Sequence, residues 1–261
     1  MVQQKLHSGI STSEELDGLL KHNGKLHKNY KMYTSMEQAM SFLLSGNLYL
    51  TNGSNWNDKD DRELMKIRNT FAKSFSWSTA ENIAMWMLYG DDCGRNGAML
   101  NFTKKMISEI MSNSCVSVGK FERTGFHEYL RLKLNKDFHI YMTDIVYIEE
   151  LTKSNQVRLT YQDEHITKEA AILEGTDTTI FYKNYAWKYE KECRMVLRLN
   201  ESTMKTANEN ECDVVKIKVP EVVTKRMIKE ERLIQSPVLN RNVDYGQKSA
   251  LAGKVDWKIG E

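Results

Sequence analysis

Two glutamates and an arginine crowd the segment AWKYEKECRMVLRL, Ala186 to Leu199. Glu190 and Glu192 lie two residues apart, Arg194 follows two further on, and Trp187 and Tyr189 lead in. Side chains of a strand alternate between its faces. As a strand, the segment puts Cys193, Met195, Leu197 and Leu199 on an apolar face and Glu190, Glu192, Arg194 and Arg198 on the other. That charged face has two uses. It is a solvated surface of Glu–Arg neighbours, or the adjoining aromatics dry it. A dried carboxylate is a stronger acceptor, able to steady a developing positive charge or take a proton.

Two more stretches carry chemistry-bearing residues. TNGSNWNDKDD packs Asn55, Asn57, Asp58, Asp60 and Asp61 into one short loop. It reads as a polar turn with an Asp capping a helix near Arg62, or as a ligand loop of amides and carboxylates. AMWMLYG spaces Met85, Trp86, Leu88 and Tyr89 as a helix does, which suits a core as well as a pocket. The four cysteines form no C-x-x-C pair and the six histidines no H-x-x-x-H, so no zinc site is expected. A G-x-S-x-G elbow, a G-x-G-x-x-G turn and a P-loop are all absent from the sequence.

Short elements must position these residues. STSEELDGLLKH predicts a helix with Thr12 and Glu15 as a capping box, and SMEQAMSFLLSG a second, boxed by Ser35 and Gln38 and stopped by Gly46. NLYLTN and FAKSFSW predict strands. STAENIAMWMLYGDD predicts a helix with Ser78 and Glu81 as its box and Gly90 as its stop. GAMLNF, HIYMTDIVYI, KYEKECRMVLRL and CDVVKIKVP predict strands, while TKKMISEIMSN, TTIFYKNYAW and the chain from Glu221 predict helices. Short strands spread between short helices without a βαβ rhythm imply an α+β fold, with a mainly antiparallel or mixed central sheet.

The chain has 261 residues, 41% hydrophobic and 28% charged, with two prolines and no linker-like stretch, so one domain spanning 1–261 is expected. A net charge of +2 offers no basic stripe for nucleic acid, which charge therefore does not indicate. No apolar run reaches the ~20 residues of a membrane span, and the start MVQQKLHSGISTSEE has no signal-peptide core. A cytoplasmic protein is expected.

These motifs, in this order, resemble the bacterial and phage family called domain of unknown function 2971. The matching residues are Tyr33, the strand LYLT at Leu48 to Thr51, Asn57 and Asp58, SFSW, then Met85, Trp86 and Tyr89. Last comes Trp187, Tyr189, Glu190, Glu192 and Arg194, the most specific of them. The resemblance marks 30–199 as a family core, with 1–29 a helical extension and 200–261 a strand and helix completing the domain. One departure stands in the loop, where the usual Pro-Phe-Glu is Lys59, Asp60 and Asp61 and proline's fixed φ is lost.

The layout is also loosely similar to that of ADP-ribosyltransferases. That likeness implies NAD as substrate, cleaved at its nicotinamide–ribose bond, with no metal required. Glu192 would be the catalytic glutamate and Glu190 the group that positions the acceptor. Tyr33 would face NAD from the first strand and Thr51 would stand in the Ser/Thr strand. Trp187 would stack on a ring, Arg194 would bind a phosphate or keep both glutamates ionised, and Asn57, Asp58 and Trp86 would complete the binding set. A bacterial or phage toxin or defence role is implied, the acceptor being protein, nucleic acid or water. Two alternatives stand beside it. One is a metal-dependent nuclease holding Mg²⁺ on Asp58, Asp60, Asp61, Glu190 and Glu192. The other is a non-catalytic sensor or interaction module of a defence system.

Overall fold

Thr12 and Glu15 close the first helix reciprocally: the Thr12 hydroxyl accepts from the Glu15 N–H, and the Glu15 carboxylate accepts from the Thr12 N–H. The computed structural model describes residues 9–53, 56, 70–91, 93–113, 115–151, 155–174, 180–238 and 258–259. Helix α1 (Ser13–Gly24) leads to strand β1 (Asn29–Ser35) and helix α2 (Met36–Ser45). Ser35 caps α2 and Gly46 ends it at φ 64, as expected, although the Gln38 side chain is held by the Thr34 hydroxyl instead of completing a box. Strands β2 (Asn47–Thr51) and β3 (Thr70–Ser76) precede helix α3 (Ile83–Tyr89). Asn82 caps α3, accepting from the Ala84 N–H, in place of the expected Ser78.

Strand β4 (Gly97–Thr103) and helix α4 (Lys104–Asn113) follow, then the hairpin β5 (Cys115–Glu122) and β6 (Gly125–Leu132). The run expected as one strand breaks at Ile145 into β7 (Phe138–Asp144) and β8 (Val146–Glu150), which enter different sheets. Strands β9 (Gln156–Tyr161) and β10 (Glu164–Glu169) form a second hairpin. The stretch expected as a helix at Thr178 to Trp187 is instead strand β11 (Tyr182–Asn184) and a 3₁₀ helix (Tyr185–Glu190). Its aromatic and β-branched residues suit a strand, and Asn184 turns the chain by accepting from the Ala186 N–H. Strand β12 (Glu192–Leu199), helix α5 (Glu201–Glu209), strand β13 (Val214–Lys218), helix α6 (Glu221–Lys229) and strands β14 (Leu233–Gln235) and β15 (Lys258–Ile259) complete the described elements.

The result is the expected single α+β domain. Its main sheet runs β15-β14-β4-β1-β3-β2-β13-β5-β6, with β12 bonded to β3 and β7 beyond it. A small sheet has the order β10-β9-β8-β11. Strand β3 is the branch point. A strand has two edges, and β12 takes one of them along its whole length, from Glu192↔Ser76 to Arg198↔Thr70. The other edge is shared: β1 joins at Lys31↔Ser76 and β2 at Thr51↔Ala72. Between these two joints the sheet splits.

Two apolar cores explain why β12 is buried on both faces. Cys193, Met195, Leu197 and Leu199 enter the main core with Phe71, Phe75 and Phe102. Val196, on the opposite face, enters a second core with Leu16 and Leu20 of α1 and Val146, Leu159 and Phe181 around the small sheet. No helix among the described residues is long and apolar enough to cross a membrane.

Two glycines test this packing with opposite signs. A Cβ on Gly119, at the β5 register shift, would lie 2.0 Å from the His127 carbonyl oxygen. Gly119→Ala is expected to lower stability by about 1–3 kcal/mol. Gly18 is exposed on α1 with open space around it, so Gly18→Ala is expected to raise stability by about 0.5–1 kcal/mol. Urea unfolding midpoints measure both.

Candidate functional site

At the split in the sheet lies a cavity of about 340 Å³. Lys31 and Tyr33 of β1, Tyr49 and Thr51 of β2, and residues 72–76 of β3 form its floor and sides. Met85 and Tyr89 of α3, Lys183, Trp187, Trp56, Glu190 and Glu192 close it. Its volume lies at the lower end of the ~300–1,000 Å³ range of small-molecule sites.

The two glutamates meet there from different elements. Glu190 ends the 3₁₀ helix, Lys191 turns the chain at φ 46, and Glu192 opens β12. They are therefore not neighbours on one strand face. The Lys191 turn brings both carboxylates onto Lys183, whose Nζ is 2.5 Å from Glu190 Oε2 and 3.1 Å from Glu192 Oε2. Glu192 Oε1 accepts from Arg194 Nε at 2.6 Å and from the Ser74 hydroxyl at 2.5 Å, and Oε2 also accepts from Arg194 Nη2 at 3.4 Å. An ionised carboxylate has about four lone-pair sites, so Glu192 is saturated. Glu190 takes one donor on each oxygen, Lys183 and the Tyr89 hydroxyl, the latter at 2.7 Å.

Burial settles the alternative posed by the alternating charges. Arg194 is 0% exposed, Glu190 2% and Glu192 3%, so this is no solvated face. Arg194 lies beneath the cavity, donating to the Ile180 carbonyl at 3.2 Å with Trp56 stacked 4.7 Å from its guanidinium. Trp56 in turn donates to the Thr51 hydroxyl at 2.9 Å. Main-chain contacts lock the glutamates: Ser76 donates to the Glu190 carbonyl, the Asn82 amide to the Tyr189 carbonyl, and the Glu192 N–H to the Tyr147 hydroxyl.

The same surroundings push the two carboxyls apart. Burial, then the charge of Glu192, raises Glu190 to about 7, against the pull of Lys183. Burial also disfavours ionised Glu192, but Arg194 and Lys183 outweigh it and hold that carboxyl well below the usual range. Burial lowers Lys183, and the Glu192 and Glu190 charges more than restore it, leaving it raised. Lys73, half-buried at the cavity, is lowered by burial and has no hydrogen-bond partner among the described residues.

Of the residues singled out in the sequence, Tyr33, Thr51, Trp187, Glu190 and Glu192 line the cavity. Trp86 sits one layer behind, buried edge-on against Tyr33 with ring centres 4.9 Å apart. Asn57 and Asp58, with Asp60 and Asp61, lie outside the described residues. Sequence reasoning passed over Lys183, placed in a stretch that read as helical, and Ser74, whose signal was the SFSW motif.

One expectation is corrected. No metal was expected, because no ligand spacing in the sequence suggested one. The fold nevertheless gathers His27, Asp144 and Cys193, with ligand atoms all within 4.8 Å of one another. They come from the α1–β1 connection, the end of β7 and the start of β12, a combination no local spacing reveals.

Residues 85–195 match the model of a family described as protein of unknown function, DUF2971. The match includes Met85, Trp86, Tyr89, Glu190, Glu192 and Arg194 and leaves out Tyr33, Thr51 and Ser74. No curated protein and no solved structure matches the chain.

Two predictions follow from the ion network. Lys183→Met leaves buried Glu190 without its cation beside ionised Glu192 and is expected to cost about 3–5 kcal/mol; adding Glu190→Gln should recover part of that loss in urea unfolding. The second concerns pH. Glu190 holds its proton more tightly folded than unfolded, so its contribution to stability falls as pH rises from the ordinary value of 4.5 to about 7. Glu192 acts in the opposite sense, stabilising above its unfolded value and losing that effect as pH falls below it. Stability measured across the upper window should decline in the wild type and flatten in Glu190→Gln.

Proposed function

We propose that the cavity binds a nucleoside-sized part of a flat-ringed, ribose-bearing anion, NAD being the representative the sequence resemblance implies. We further propose that the protein acts by recognising this ligand, as a sensor or interaction module. Several features of the site support a ligand of this kind. Tyr33, Tyr49, Tyr89, Trp56 and Trp187 offer ring faces and edges, and Ser74 and Thr51 offer hydroxyls. Lys31 and Lys73 add positive charge beyond what the glutamates neutralise, which favours a phosphate-bearing ligand.

The observation that carries recognition over turnover is the saturation of Glu192. With Arg194, Ser74 and Lys183 on its two oxygens, it has no lone pair left for a ribose hydroxyl. Glu192 then serves as the anchor that orients Lys183, and Lys183 with Glu190 meets the ligand.

A second reading, ADP-ribosyl transfer or NAD hydrolysis, is favoured by one feature, the divergent protonation of the two carboxyls. A pair in which one acid titrates near 7 while its neighbour stays ionised suits glycosidic chemistry. In that reaction the nicotinamide–ribose bond breaks and its electron pair leaves with nicotinamide. Ionised Glu190 steadies the ribose oxocarbenium ion. The acceptor's oxygen or nitrogen bonds to the ribose carbon, and its proton passes to Glu190.

Calorimetric titration of NAD into the purified chain, with nicotinamide release followed by chromatography, separates these readings. Recognition predicts binding without release, weakened roughly tenfold or more by Lys73→Ala. Transfer predicts release that Glu190→Gln abolishes. Absence of heat and of thermal shift at saturating NAD would sink both.

A further inference from the structure

We propose that His27, Asp144 and Cys193 form a zinc-class metal site on the far side of β12 from the cavity, independent of the ligand reading above. Asp144 and Cys193 are direct cross-strand partners of β7 and β12, so the sheet register itself places a carboxylate beside a thiol. His27 reaches them from the connection after α1, with Nε2 2.5 Å from Asp144 Oδ1. Its ring is fixed by parallel stacking on Trp77, centres 5.2 Å apart, and by an edge contact with Tyr30.

The donor set has the chemistry of a zinc site. Imidazole nitrogen, carboxylate oxygen and thiolate sulfur are the three ligand types Zn²⁺ takes, and the thiolate disfavours Mg²⁺ and Ca²⁺. Ligand atoms around tetrahedral zinc lie roughly 3.3–3.8 Å apart, from bond lengths of about 2.0–2.3 Å. The trio, within 4.8 Å, reaches that spacing by side-chain rotation, the His27–Asp144 contact opening by about 1 Å as the ion replaces its proton. With three protein ligands, the fourth position falls to water or a small ligand.

Two further observations point to a cation. Asp144 is fully buried, and among the described residues His27 is the one cation-forming group within hydrogen-bond reach of it. A buried carboxylate needs such compensation. A second layer also orients Asp144, as ligand carboxylates require. The Tyr161 hydroxyl donates to Oδ2 at 2.6 Å, and the Gln162 amide donates to Tyr161 at 2.8 Å.

The test uses the full chain after dialysis against chelator. Calorimetry with Zn²⁺ should give one equivalent, and His27→Gln and Cys193→Ser should each weaken binding at least tenfold. Tyr161→Phe, which removes the hydroxyl that orients Asp144 and no ligand atom, should weaken it by about tenfold. The Co²⁺-loaded wild type should show a thiolate-to-cobalt charge-transfer band that Cys193→Ser removes. If buried variants fail to fold, the wild-type cobalt spectrum still decides. Absence of that band, absence of zinc binding, or binding that Cys115→Ser abolishes at an exposed thiol would each overturn the site.

Discussion

Lys183 stands nearly buried between two carboxylates, and the site depends on that one ammonium. Without it, Glu190 and Glu192 would face each other as buried like charges, and one would have to stay protonated. With it, they share a cation, and Arg194 completes a set of two acids and two bases. Such a network is costly to desolvate and costly to break. It persists because the scaffold supplies every donor: Ser74 from β3, Tyr89 from α3 and Arg194 from β12 itself.

The scaffold does so because β3 is shared. Pairing with β12 on one edge fixes Ser74 beside Arg194 in register, and the divided opposite edge opens the cavity between β1 and β2. The second core of α1 and the small sheet then covers the charged face of β12. Fold and site are thus one construction, and the residue that makes the network a cavity wall rather than a surface is as much Leu16 or Val196 as any charged group.

Much of this was legible in the sequence. Capping signals placed α1 and α2 correctly, and alternation assigned Cys193, Met195, Leu197 and Leu199 to the core. The burial of Arg194 was not legible, because a strand covered on both faces still alternates when one face is lined with ion pairs. Lys183 was missed for the same kind of reason: its partners lie seven and nine residues on, across a 3₁₀ helix and a left-handed turn that no periodicity announces. The His27, Asp144 and Cys193 cluster lay further still from view, assembled from three segments, two by sheet register and His27 from the connection after α1.

The cavity has two kinds of wall. Its floor, β3 and β12, is interior sheet bonded to strands on either side. The wall bearing Trp187 and Glu190 is a single short 3₁₀ helix, a geometry with weaker hydrogen bonds than an α-helix. Local opening draws on the least stable segments first. That wall is therefore the first part of the cavity to open, on a timescale far shorter than global unfolding, while Glu192 and Arg194, held in β12, stay in register. Changes in the wall would alter how fast a ligand enters and leaves, and changes in the floor how tightly it is held.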